Sequence, residues 1–200
     1  MVKKFILNFL IMFLYCTIGF CEPTLILLSG PSGWGKTTLS EKLAAKFNLV
    51  RLDFDSIAEP FSPGVRDANY AMNIEPNIVH AILNLAKYNF SSGHNVIIDG
   101  TWSHLFCYDK KYLDMIQAVV KESGIKLIVL QGVLDEKIIL ERIKIRNDPR
   151  DRPKLENPEN FFIKDHVRIK NPLKPHYEIS GQGSAEEVFE RANKVLKNLL

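Results

Sequence analysis

The sequence is poor in cysteine, nearly neutral and free of internal repeats, and each of these lacks narrows what the chain can be. Its three cysteines are Cys16, Cys21 and Cys107. Two fall within or at the edge of an apolar N-terminal run, so the remainder keeps one thiol and no disulfide framework. That is not the pattern of a disulfide-stapled secreted domain. No motif surrounds Cys107, which reads as a small buried hydrophobe rather than a nucleophile. Net charge is +3, and removing Lys3 and Lys4 leaves +1. So small an excess gives no global case for nucleic acid or an anionic membrane. There is no linker to divide the chain, and 200 residues at 46% apolar content suffice for one domain with a full core.

What is present begins with an export-like leader. Lys3 and Lys4 precede an apolar run from Phe5 to Phe20, and Glu22-Pro23-Thr24 follows. A basic start, a short apolar stretch and small residues near the boundary describe a secretory signal. Gly19 and Cys21, or Thr17 and Gly19, fit the positions before cleavage. The run is short of the about 20 residues a spanning helix wants, leaving an uncleaved signal-anchor as the alternative. We expect residues 1–21 to be a signal peptide or signal-anchor and residues 22–200 to be one domain. The expected location is exported, periplasmic or secreted. Stable membrane association is expected only if the leader is retained.

From Thr24 onward short apolar runs alternate with amphipathic ones. "TLILLS", "LVRLDF", "GHNVIID", "KLIVLQGV" and "PHYEIS" predict five strands. Helices are predicted over 37–47, 75–90, 104–122, 135–146 and 161–169, and from Ser184 to the end. Asp135 is a candidate N-cap, and Ser184-x-x-Glu187 a capping box. The Pro-rich stretch at 147–160 predicts a mobile loop. Strands without polar alternation, separated by helices, predict a doubly wound α/β fold. Its five-stranded, mostly parallel sheet carries helices on both faces and a short lid.

The strongest motif is "GPSGWGKTT". Gly30, Gly35, Lys36 and Thr37 satisfy G-x-x-x-x-G-K-[ST], with a predicted strand before and a helix after. Such a loop turns its N–H groups toward phosphate oxygens, and the helix start adds partial positive charge. Candidate ATP-binding residues are therefore Gly30, Pro31, Ser32, Gly33, Trp34, Gly35, Lys36, Thr37 and Thr38. Lys36 would reach the β- and γ-phosphates, and Thr37 would ligate Mg²⁺. The Asn-Lys-x-Asp motif of a GTP switch is missing. Asp55 follows the second strand, at the sheet edge where ligands bind, and can accept a proton from an attacking hydroxyl. The blander role for Asp55 is N-cap of "DSIAE". Asp53 lies two residues earlier. Asp99 ends "VIID" and can serve Mg²⁺ or cap a turn beside Gly100. Thr101, Trp102 and His104 follow at the same edge and could line an acceptor pocket or, for Trp102 and His104, pack and cap. Arg142 and Arg146 share a helix face, with Arg150 and Arg152 beyond. Arginines next to a mobile loop can close over ATP and neutralise the transferring phosphoryl group.

Together "LILLSGPSGWGKTTL", "FDSI", "GHNVIIDGT" and the R-x-x-x-R of "ERIKIR" resemble the small P-loop kinases of the chloramphenicol phosphotransferase-like and polynucleotide-kinase-like (zeta-toxin-like) families. The resemblance spans nearly all of the chain from residue 24. It implies Asp55 as base and Arg146 as the arginine on the transferred phosphate. It also implies a nucleoside-kinase-like P-loop NTPase using ATP and Mg²⁺. Polynucleotide-kinase-like members often carry arginine three residues after the base. Ala58 stands there, so a small-molecule hydroxyl acceptor is favoured over a polynucleotide 5′-hydroxyl. From a different class, an ATP-binding regulator without transferase activity would use the same loop.

Overall fold

The computed structural model describes residues 22–63, 69–100, 102, 110–169 and 175–200, with main chain only for 164–169. The leader, Cys107, Thr101 and His104 lie outside the described residues.

Strand β1 (Thr24–Ser29) is buried along its whole length and sits at the centre of a five-stranded sheet. Its neighbours are β3 (Val96–Asp99) and β4 (Lys126–Val133), while β2 (Val50–Asp53) and β5 (Tyr177–Ser180) form the edges. All four pairings are parallel, giving the order β2-β3-β1-β4-β5. Alternate strand residues supply two cores. Leu25, Leu27, Ile98 and Val129 face helices α3 (Glu75–Ser91) and α4 (Lys110–Ser123). Ile26, Leu28, Ile97 and Leu130 face α1 (Lys36–Phe47) and α8 (Ala185–Leu196). With both faces covered, the middles of the central strands are apolar on both sides, which is why they show no alternation. The buried polar residues Ser29, Asp99 and Gln131 fall toward the carboxyl ends.

Helix α2 (Phe54–Ala58) follows β2 directly, and a π-helical turn (Tyr70–Ile74) leads into α3. Asp135 caps α5 (Glu136–Arg146) through the Lys137 amide, and α8 starts with a complete capping box from Ser184 and Glu187. The stretch expected to be a loop is instead mostly helical. A 3₁₀ turn (Pro149–Asp151) runs into α6 (Arg152–Glu156), and α7 (Pro158–Ile169) starts three residues before the expected Phe161. Pro149, Pro153 and Pro158 occupy first-turn positions, where the missing N–H has no intrahelical partner to lose. Strands β2 and β3 are added on one side of β1 and β4 and β5 on the other, so the carboxyl end of β1 is the topological switch point where ligands bind in open α/β sheets. Residues 30–35 leave the sheet there.

Candidate active site

Registers set the floor of the site. Asp53 lies opposite Asp99, Asp99 opposite Leu28, and Ser29 opposite Gln131. The phosphate loop, Asp99 and the start of α2 therefore share one sheet edge. Gly33 and Gly35 take positive φ (79° and 110°), conformations that let the loop curl back before α1 begins at Lys36. The Lys36 ammonium folds over the loop and donates to the carbonyls of Gly30 (2.9 Å) and Pro31 (3.0 Å). Thr37 and Thr38 are exposed in the first turn of α1.

Trp34 points away from the loop's open side. Its indole is 1% exposed, joins the α1/α8 core and donates Nε1–H to the Val133 carbonyl (3.2 Å). It lies flat enough against Gly132 and Gly181 that a Cβ on either would overlap the ring. Arg142 reinforces this side, donating to the carbonyls of Trp34 (2.9 Å), Gly181 (3.0 Å) and Gly183 (3.4 Å). The first arginine of the pair thus holds main chain.

One turn later Arg146 faces the opposite side. Its Nε donates to Asp151 Oδ2 at 2.9 Å, and its Nη2 to the Ser32 hydroxyl at 3.3 Å. Asp151 is 1% exposed, and its other oxygen accepts from Lys154 Nζ at 2.6 Å. Lys154 also donates to the Ser32 hydroxyl, at 2.9 Å. Arg150 turns toward α2. It donates to Asp148, lies 3.7 Å from Glu59, and feels the charge of Asp55. Its hydrogen bonds to Asp148 raise the guanidinium above its ordinary value, and the same pairing lowers Asp148 to about 2.

Asp53, not Asp55, is the N-cap of α2, accepting from the Ser56 amide at 3.0 Å. That leaves Asp55 exposed in the first turn, within the field of Arg150. Asp99 is 3% exposed and hydrogen-bonded through Oδ2 to Ser40 and to Arg51 (3.1 Å). Arg51 also pairs with Asp53 at 2.6 Å. Burial raises the Asp99 carboxyl, partly opposed by Ser40 and Arg51, and its Oδ1 is buried without a hydrogen-bond partner. Among the described residues no group of three or more His, Cys, Asp or Glu side chains is arranged to hold a metal. An exposed threonine and one orphaned carboxylate oxygen suit an ion held mainly by phosphates and water, as Mg²⁺ usually is. Trp102 is fully buried, donating to the Ile98 carbonyl at 3.3 Å and packing edge-on against Phe54. Its role is structural support for the sheet edge.

Residues not foreseen are Ser40, Arg51, Gly132, Asp151, Lys154 and Gly181. Some carried a readable signal. Arg51 is two residues before Asp53 on a strand, hence on the same face, and Ser40 is one turn after Lys36. Glycine at a strand end marks close approach of another group. Asp151 and Lys154 have the i, i+3 spacing of a helix, hidden by the prolines around them.

A profile described as "AAA domain" matches residues 25–160. No curated protein matches the sequence significantly. Among solved structures, a candidate kinase from Chloroflexus aurantiacus J-10-fl superposes with a TM-score of 0.62 at 20% identity, covering 86% of this chain and 98% of its own. A gluconokinase from Sinorhizobium meliloti 1021 gives 0.57 at 15% identity, covering 88% and 95%. The APS kinase CysC of Mycobacterium tuberculosis, solved with AMPPNP and APS, gives 0.58 at 16% identity, covering 89% and 98%. These likenesses establish a shared P-loop NTPase fold. With the profile spanning β1 through the start of α7, the chain belongs to the AAA domain family.

Proposed function

We propose that the protein is an ATP-dependent kinase that transfers the γ-phosphoryl group to a hydroxyl of a small molecule. The observation that carries this reading is the convergence of lid and floor. Arg146 meets the phosphate loop at Ser32, and Arg150 lies in the field of Asp55. A nucleotide on Gly30–Thr38 would have its terminal phosphate under Lys36 and Arg146. Asp55 would take the proton of the acceptor hydroxyl, whose oxygen then bonds to the γ-phosphorus as the bond to the β-phosphate oxygen breaks, leaving ADP. Thr37 and Asp99 would hold Mg²⁺, which would supply charge neutralisation on the phosphates. The likeness to kinases for small acceptors, gluconokinase and APS kinase, supports a small acceptor, as do the near-neutral chain and Ala58. The finer placement among chloramphenicol phosphotransferase-like rather than polynucleotide-kinase-like enzymes is part of the same proposal. So is export by residues 1–21, which N-terminal sequencing of the mature protein tests.

Two substitutions test the chemistry. Lys36→Ala is expected to abolish ATP turnover. Asp55→Asn is expected to lower transfer by at least about 10²-fold, the usual worth of a general base, with ATP affinity nearly unchanged. Unaltered transfer by the Asp55→Asn protein would remove the base assignment.

A further inference from the structure

The geometry points to Lys154 as a second lid cation that binds the terminal phosphate of the nucleotide, held in place by the buried carboxylate of Asp151. This rests on the nucleotide reading above. The two cations, Arg146 and Lys154, share one carboxylate, each on its own oxygen (2.9 Å and 2.6 Å). The group carries an excess of one positive charge. Both cations then converge on one neutral oxygen, the Ser32 hydroxyl, at 3.3 Å and 2.9 Å. A lid needing only a structural ion pair is satisfied by one cation on Asp151. A second, also turned onto the rim of a phosphate cradle, leaves positive charge that only an anion completes.

The position on the rim identifies which phosphate. Lys36, the group expected on the β- and γ-phosphates, rests on the carbonyls of Gly30 and Pro31, so that end of the loop is the terminal-phosphate end. Ser32 is the next residue. The Lys154 ammonium also sits 5.9 Å from the centroid of the Phe161 ring, a cation–π contact that adds to its hold at this position. Lys154 therefore touches the γ-phosphate, while Asp151 is a positioning residue that aims Lys154 and Arg146 together.

The test compares equilibrium binding of the Mg²⁺ complexes of AMPPNP and ADP, by isothermal titration, to the full chain and to Lys154→Met and Lys154→Arg. One lost charge-assisted hydrogen bond predicts about a tenfold weaker AMPPNP affinity for Lys154→Met, with ADP affinity within about twofold. Lys154→Arg should restore most of the difference. An unchanged ratio of AMPPNP to ADP affinity in Lys154→Met overturns the inference, and equal weakening of both does so too, since it marks a merely structural lysine. A wild-type protein that binds neither nucleotide overturns the underlying nucleotide reading and this inference with it. Asp151→Asn supplies the second variant: it should weaken AMPPNP more than ADP at an unchanged ADP affinity, and an effect on thermal stability alone would contradict its positioning role.

Discussion

The two sides of the phosphate loop are built from opposite kinds of partner. On the Trp34 side the partners are fixed main chain: an indole wedged between Gly132 and Gly181, and an Arg142 guanidinium whose donors are spent on three main-chain carbonyls. On the Ser32 side the partners are charged side chains, with Arg146 and Lys154 around Asp151. Carbonyls of the fold cannot leave, so the first side anchors the loop. A carboxylate and a hydroxyl can give up contacts to an incoming phosphate, so the second side can exchange. Arg142 and Arg146 stand one turn apart on the same helix, yet serve these two different ends. Spacing on a helix face does not by itself assign a shared role.

Removing the exchangeable side should have the largest effect on chemistry. Arg146→Ala is expected to lower kcat by about 10³-fold, as loss of an arginine on the transferring phosphoryl group does, with little change in thermal stability. Arg142→Ala should do the reverse, losing stability first and affecting turnover through a loosened loop. Steady-state kinetics beside thermal melts would collapse the comparison if both variants lost kcat alike at equal stability.

Removing the anchored side should be a folding matter. Trp34→Ala leaves a cavity between β4, the β5–α8 connection and the loop, and should cost about 3–5 kcal/mol in denaturant unfolding. Gly132→Ala drives a methyl into the same ring and should cost about 1–3 kcal/mol. A neutral Gly132→Ala would show that the indole is free to move and that the side is not fixed.

The smallest effect is in the Asp148 pairing that holds Arg150, the residue turned toward α2. Asp148 is lowered from an ordinary 3.8 to about 2 by its side-chain and backbone hydrogen bonds with Arg150. Its folded value is the depressed one, so its stabilisation is present above the unfolded value and is lost as pH falls through about 2. Acid titration of the melting temperature should show that loss between these limits, and Asp148→Asn should flatten it. A wild type and variant with parallel acid profiles would dissolve this link.

The same division explains what could be read from the sequence. The glycine-rich loop is contiguous, and each of its residues is constrained by local backbone geometry, so its position after a buried strand was legible. The parallel sheet was legible too, because strands covered on both faces run apolar through their middles without polar alternation. The lid was not. Pro149, Pro153 and Pro158 read as loop punctuation, and only the structure shows each at a helix start. Arg51 meeting Asp99, and Trp34 meeting Gly132 and Gly181, join residues remote in sequence, which local pattern cannot pair. The capping of α2 by Asp53 moves Asp55 two residues past the cap, to an exposed first-turn carboxylate, a difference of register that propensity does not resolve.

The most direct measurement is mass-spectrometric detection of phosphorylated products after incubating the protein with Mg²⁺-ATP and a library of hydroxyl-bearing metabolites and antibiotics. The account predicts at least one product carrying a single added phosphate, formed with one ADP per product and missing with the Lys36→Ala protein. ATP bound at the loop with neither product nor ADP formed across the library would contradict it, and would make the chain a nucleotide-binding regulator.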